Sequence, residues 1–224
     1  NMVKYQELVN RALNLRHSNQ TGSDRKERFT IFGTQIHHDL KEGFPLITTR
    51  DMSGSLTAIW GELFWIMSGN TNANTLKEKY GVSLWQRWAT PETSGKLGYT
   101  NGDLGPIYGE QLRNQNGVDQ LTQIIAMLKY NPNASRAIIN YWNLPDIEIN
   151  GVERVFIAPC IAMLHFLYDQ GRLNLHMFQR SVDLMVGFPF DFAQYSLFLM
   201  LVAKEVGMTP GIIVHTGSDA HVYV

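Results

Sequence analysis

The chain reads as an α+β protein, with one large mixed β-sheet covered by helices in a single domain spanning residues 1–224. Three observations carry this. Strand-like and helix-like patterns both occur without regular alternation, which favours a layered α+β sheet over a doubly wound one. Two β-like runs flank a glycine turn at Asp169-Gln170-Gly171, as in a hairpin. Two helical stretches are apolar almost all round and need a sizeable core to bury them; 224 residues can supply one. No repeat or Pro/Gly/Ser linker divides the chain.

The elements follow in order. "VKYQELVNRALNLR" places Leu8, Ala12 and Leu15 at helical intervals, predicting an amphipathic opening helix. "SNQTGSDRKER" reads as a polar loop. "FTIFGTQIHHDL" predicts a strand with a glycine bend, and "SLTAIWGELFWIMSG" a buried helix ending on Gly69. "DQLTQIIAMLKY" predicts a helix capped by Asp119. "VFIAPCIAMLHFLY" and "RLNLHMFQRS" are the hairpin strands. "DFAQYSLFLMLVAKEVG" predicts a buried helix stopped by Gly207 and Pro210, and "GIIVH" a short final strand.

The hairpin carries the only cysteine, Cys160. A three-residue turn at 169–171 makes facing positions sum to 340, so Cys160 stands opposite Arg180. Side chains paired in this way are near neighbours on one face. A guanidinium there favours thiolate over thiol. A buried cysteine beside an arginine that pairs structurally with Asp183 fits the same pattern, and a bulge would shift the register.

Composition excludes several classes. The formal net charge of −1 offers no broad field for nucleic acid or an anionic membrane. A single cysteine rules out an internal disulfide and fits a reducing cytoplasm. The opening residues lack the apolar core of a signal peptide, and no run is long enough to span a bilayer. The histidines show no metal-ligand spacing.

"APCIAMLHFLYDQGRLNLHMFQRSVDLMVGFPFDFAQYSL" resembles the active-site core of the thymidylate synthase family, which includes the pyrimidine nucleotide hydroxymethylases. "EGFPLITTR", "GELFWIMSGNTN", "LWQRWA", "NGDLGPIYGEQLR", "NASRAIIN" and "HTGSDAHVYV" extend the likeness collinearly over nearly the whole chain. The resemblance implies a thymidylate-synthase-like fold and a homodimer. It also implies a pyrimidine nucleoside monophosphate substrate and methylenetetrahydrofolate as co-substrate. Cys160 stands at the position of the nucleophile that adds to C6 of the pyrimidine. Glu62 would organise proton-transferring water, and Tyr108 would assist proton removal from C5. Arg180 and Ser181 match a phosphate-binding pair, Arg136 an arginine reaching across the dimer, and His221 and Tyr223 a pair on the sugar hydroxyl. Gln179 joins the substrate side by the same likeness. Trp85, Trp88, Asp183 and Gly187 fall on the folate side.

Three departures modify this expectation. Asp191, in "FPFDFAQ", stands where methylating members carry asparagine. A carboxamide offers one donor and one acceptor to uracil. A protonated carboxyl, or a carboxylate facing N3-protonated cytosine, matches the cytosine edge. An acidic residue in a first helical turn also complements the helix dipole. Ile161 replaces a histidine after the nucleophile, removing a polar partner for the uracil O4. Ser23 and Ala137 stand where phosphate-binding arginines are expected, with Arg25 or Lys26 as substitutes. The likeness stops at "HVYV", with the C-terminal part of the family fold absent from this sequence.

These readings converge on cytidylate (dCMP or CMP) 5-hydroxymethylation, with water, not a folate hydride, completing the reaction. The rival readings are methylation of dUMP and a catalytically weak nucleotide- or RNA-binding homologue.

Overall fold

The computed structural model describes residues 2–14, 19–21 and 27–223. Helix α1 (Met2–Asn14) is followed by strands β1 (Asn19–Thr21) and β2 (Glu27–Asp39). Helices α2 (Leu56–Met67), α3 (Ala73–Tyr80), α4 (Tyr108–Asn114) and α5 (Gln120–Tyr130) come next. Strand β3 (Ile138–Asn140), helix α6 (Leu144–Ile147) and the small ribbon β4 (Glu148–Ile149) and β5 (Val152–Glu153) lead to the hairpin β6 (Ile161–Asp169) and β7 (Arg172–Asp183). The long helix α7 (Gly187–Glu205) and strand β8 (Thr209–Tyr223) complete the order.

Six strands form one sheet in the order β1-β2-β8-β7-β6-β3. All its pairs are antiparallel except β7–β8. A parallel pair needs a crossover, and α7 supplies it, packing back on β7 and β8. This is the mixed, helix-covered sheet that the patterning predicts.

The hairpin departs from the predicted register in two places that cancel. The turn has two residues, Gln170 and Gly171, both at positive φ (46° and 84°). That is the backbone a tight hairpin prefers, so Asp169 pairs with Arg172 and facing positions sum to 341. A bulge between Ile161 and Met163 then absorbs one residue, and Ile161 faces Gln179. Arg180 N consequently donates to Cys160 O at 2.8 Å. The predicted neighbours meet, but through a shorter turn and a bulge.

Other boundaries also move. The strand expected from Val155 begins only at Ile161, after Pro159, whose missing N–H cannot join a ladder. β8 runs fifteen residues, well past the five read as "GIIVH", because β2 and β7 pair with it on both sides. Helix α7 begins at Gly187, with Pro189 in its first turn, a position proline tolerates. Asp191 is therefore not in that first turn, and the dipole reading of its acidity falls. The "SNQTGSDRKER" loop contains the short strand β1; Ser23, Arg25 and Lys26 lie outside the described residues. Helix α2 is not buried all round: Trp60 and Phe64 expose one side.

Candidate active site

Four elements converge on a pocket of about 470 Å³. Helix α2 contributes Glu62 and Ile66 on its buried side, and α7 contributes Asp191, Gln194 and Tyr195. Those three stand at i, i+3 and i+4, one face of a helix. Tyr108 opens α4. The α4 backbone sits so close to the turn after α2 that a Cβ on Gly109 would lie 2.4 Å from Asn70 O, and no other residue fits there without displacement. Cys160, immediately before β6, closes the ring of functional groups, with Trp85, Trp88 and Ile157 among the apolar lining.

Glu62 is buried in α2. Its Oε1 accepts a short hydrogen bond from Trp85 Nε1, and its Oε2 accepts one from Gln194 Nε2 at 2.8 Å. Burial raises its pKa, and the two donors oppose that rise without cancelling it. The Tyr108 hydroxyl accepts from Cys160 N at 2.8 Å and Ile161 N at 3.1 Å. These bonds stitch the start of β6 and Cys160 to α4 and leave the phenol proton to point elsewhere. Burial holds the phenol well above its ordinary pKa.

Cys160 corrects one expectation. Arg180 does pull its pKa down, but burial pushes it up more strongly, and the neighbouring Asp191 adds to the rise. The resting group is a thiol, not the pre-activated thiolate that the Arg180 pairing suggested.

Asp191 is partly open to the pocket. Its Oδ2 accepts from Gln179 Nε2 at 2.7 Å. Burial and then the charge of Glu62 raise its pKa to about 7, against the opposing bond from Gln179. This carboxyl therefore exchanges its proton near neutrality.

The thymidylate synthase family model matches residues 3–224. The chain belongs to the thymidylate synthase family. A crystal structure of thymidylate synthase from T4 phage superposes with a TM-score of 0.87 at 32% identity, over 98% of this chain and 76% of that one.

Within this family member, Cys160, Glu62, Tyr108, Asp191, Trp85, Trp88 and Gly187 all line one pocket. The remaining predicted residues stand further out. Gln179 reaches the pocket wall only through Asp191. The Arg180 guanidinium donates from Nε to Pro159 O at 2.8 Å and from Nη2 to Ala158 O at 3.0 Å. It thus braces the loop before Cys160. Ser181 lies farther along β7, paired in register with Asp219. The Asp183 carboxylate accepts from Met185 N and Val186 N, shaping the turn into α7. It is not among the pocket-lining residues. His221 is buried on β8, its Nδ1 within 3.3 Å of Asp219 Oδ1 and its ring 4.9 Å from that of Tyr223. Arg136 is exposed in the turn before the edge strand β3.

Sequence reasoning passed over Gln194, Arg50 and Arg87, which line the pocket, and Arg28, paired with Asp219 beside His221. Gln194 had a usable signal, its position three residues after Asp191 on one helix face. Nothing local flagged Arg28, because its partner is 191 residues away.

Proposed function

We propose that this protein hydroxymethylates C5 of a cytidylate, converting the nucleotide, methylenetetrahydrofolate and water into the 5-hydroxymethyl nucleotide and tetrahydrofolate. Membership of a family that transfers one-carbon units from that folate to pyrimidine nucleotides supports the reaction class. The observation that carries the base is Asp191, a carboxyl on the pocket wall with a pKa raised to about 7. Cytosine presents an unprotonated N3 and an amino group. Binding it through a carboxyl requires one proton shared between acid and N3, and an acid that titrates near neutrality can hold that proton.

Each residue then has a task. Cys160 loses its proton and adds Sγ to C6 of the base, making C5 electron-rich. The charge of Arg180 lowers the cost of forming that thiolate. Glu62, held rigid by Trp85 and Gln194, accepts and returns protons through water. Tyr108, anchored by two backbone N–H groups, assists proton removal from C5 by orienting the water that takes the proton. The apolar wall made by Trp85 and Trp88, whose rings meet edge-to-face at 61°, with Ile157, Leu84 and Val186 beside it, would take the folate, and the bound folate supplies the one-carbon unit. The functional unit is a homodimer in which Arg136 reaches the neighbouring site, which accounts for its exposure here.

The 32% identity to T4 phage thymidylate synthase favours a second reading, methylation of dUMP with dihydrofolate as product. One assay separates them: C5-tritiated dCMP, CMP and dUMP with methylenetetrahydrofolate, following label release and the folate formed. Release from a cytosine nucleotide with tetrahydrofolate supports the proposal, and release confined to dUMP with dihydrofolate overturns it. Asp191→Asn should shift the dCMP-to-dUMP ratio of kcat/KM towards uracil by about 10²-fold or more, the scale on which mispaired buried polar groups discriminate.

A further inference from the structure

Behind Asp191 lies a second buried group with no assigned task. His215, on β8, is fully buried. Its Nε2 lies 2.9 Å from Gln179 Oε1, and Gln179 Nε2 in turn lies 2.7 Å from Asp191 Oδ2. The three side chains form one line from the sheet interior to the pocket wall, carried by β8, β7 and α7. The imidazole is packed edge-on against Phe188 at 4.8 Å and Phe192 at 6.4 Å between ring centroids. Its Nδ1 is buried without a hydrogen-bond partner among the described residues.

An amide has two orientations, and each imposes a different chemistry on its neighbours. With its carbonyl towards His215, the amide accepts from Nε2–H and presents N–H to Asp191. Reversed, it would present its carbonyl to Asp191, which could then answer only by donating its own proton. That proton would be spent on Gln179 and lost to a bound base. Reversal would also require His215 to accept at Nε2 and carry its hydrogen on Nδ1. An N–H would then point into an apolar slot with no acceptor, a rarely tolerated arrangement.

We propose that His215 is a positioning residue: as the Nε2–H tautomer it holds the Gln179 amide with its donor towards Asp191, so that the acid's proton and its second oxygen stay available to the nucleotide base. This rests on the reading of Asp191 as the base-selecting group. Burial keeps the imidazole uncharged, with a pKa near 3, lowered further by His176 on β7. From β2, Ile36 is its register partner, and α7 offers it only the two phenylalanine rings. The ionisable groups acting on Asp191 are Glu62 on α2 and Asp183 at the end of β7, with Cys160, Tyr108 and Tyr195 coupled to it across the pocket.

Two measurements on the nucleotide-free full chain test this. Long-range ¹H–¹⁵N correlation spectra of the native protein should show His215 as the neutral Nε2–H form throughout the neutral range. A Nδ1–H tautomer or an imidazolium overturns the assignment. His215→Phe keeps a flat ring edge-on against the stacked Phe188 and Phe192 but removes the donor. The ¹³C carboxyl titration of Asp191 should then move its midpoint upward by on the order of one pH unit, the worth of one hydrogen bond to a charged group. A variant that folds, as judged by its spectrum, with an unmoved midpoint also overturns it; should the variant not fold, the native tautomer alone decides. Neither measurement involves turnover, so a native enzyme that prefers dUMP would sink the cytidylate reading and leave the relay standing.

Discussion

The two sides of the site are built differently. On the side proposed to take the base, Glu62, Asp191, Gln194, Trp85, Tyr108 and Cys160 meet within one chain, each tied by a hydrogen bond to a residue of another element. On the side proposed to hold the phosphate, Arg136 is exposed on an edge turn, and Arg180 is tied to the carbonyls of residues 158 and 159. Buried polar groups must be satisfied inside the protein before any ligand arrives, so the base side is pre-organised. The exposed Arg136 needs no such partner before substrate or a second subunit arrives. On the proposed reading, the groups that do the chemistry are assembled by the fold of one chain, whereas anchoring is left to groups at its margins.

The largest expected effect tests the base side. Cys160→Ser should lower turnover by about 10⁴-fold or more, as removal of a covalent nucleophile does, measured by tritium release from C5. Retained activity would remove the covalent scheme.

The next prediction tests whether the margins belong to a neighbouring subunit. Arg136→Ala should weaken nucleotide binding by roughly 10–100-fold, the loss of one charge-assisted contact, measured by calorimetry. Mixing this variant with Cys160→Ser after reversible subunit dissociation should restore part of the activity that each lacks, because one site per mixed dimer is then intact. No recovery on mixing would place Arg136 outside the partner's site.

A smaller effect distinguishes the two sides by pH. The Asp191 carboxyl binds its proton up to about pH 7. dCMP affinity should therefore be level below that pH and fall by up to about tenfold per unit above it. A flat dCMP profile would exclude a shared proton.

The same shift enters stability, with a definite sign. Because the folded pKa exceeds the ordinary carboxyl value of 3.8, the folded state holds the proton more tightly than the unfolded chain. This contribution is fully present below about pH 3.8 and is lost as the pH rises through about 7. Asp191→Asn should remove roughly 2–4 kcal/mol of that pH-dependent term, seen as a flatter profile in denaturant titrations between these limits. An unchanged profile would show that another group is responsible.

Much of the architecture was legible in the residues. The Gln170-Gly171 turn, the apolar runs of α2 and α7, and the Asp119 cap of α5 are local signals, and each produced its element. The register of Cys160 against Arg180 was reached through a turn one residue too long and a bulge left out, two offsets that cancel. The length of β8 was not readable, since "TGSDA" has turn-like composition and is extended only because two strands flank it. The site shows the same division: motif residues stood out in sequence, while Gln194, Arg28 and His215 did not, because their roles exist only through partners brought from other elements.

By itself, then, the sequence determined the helices and strands with strong periodicity, the family, and the chemical identity of the groups at the pocket. Tertiary structure decided their protonation and orientation. Whether Cys160 rests as a thiol, whether Asp191 holds a proton at neutral pH, and which way Gln179 turns all depend on desolvation and hydrogen bonds from residues up to more than a hundred positions away. Local sequence cannot encode such energies, because water would supply the missing partners until the fold excludes it.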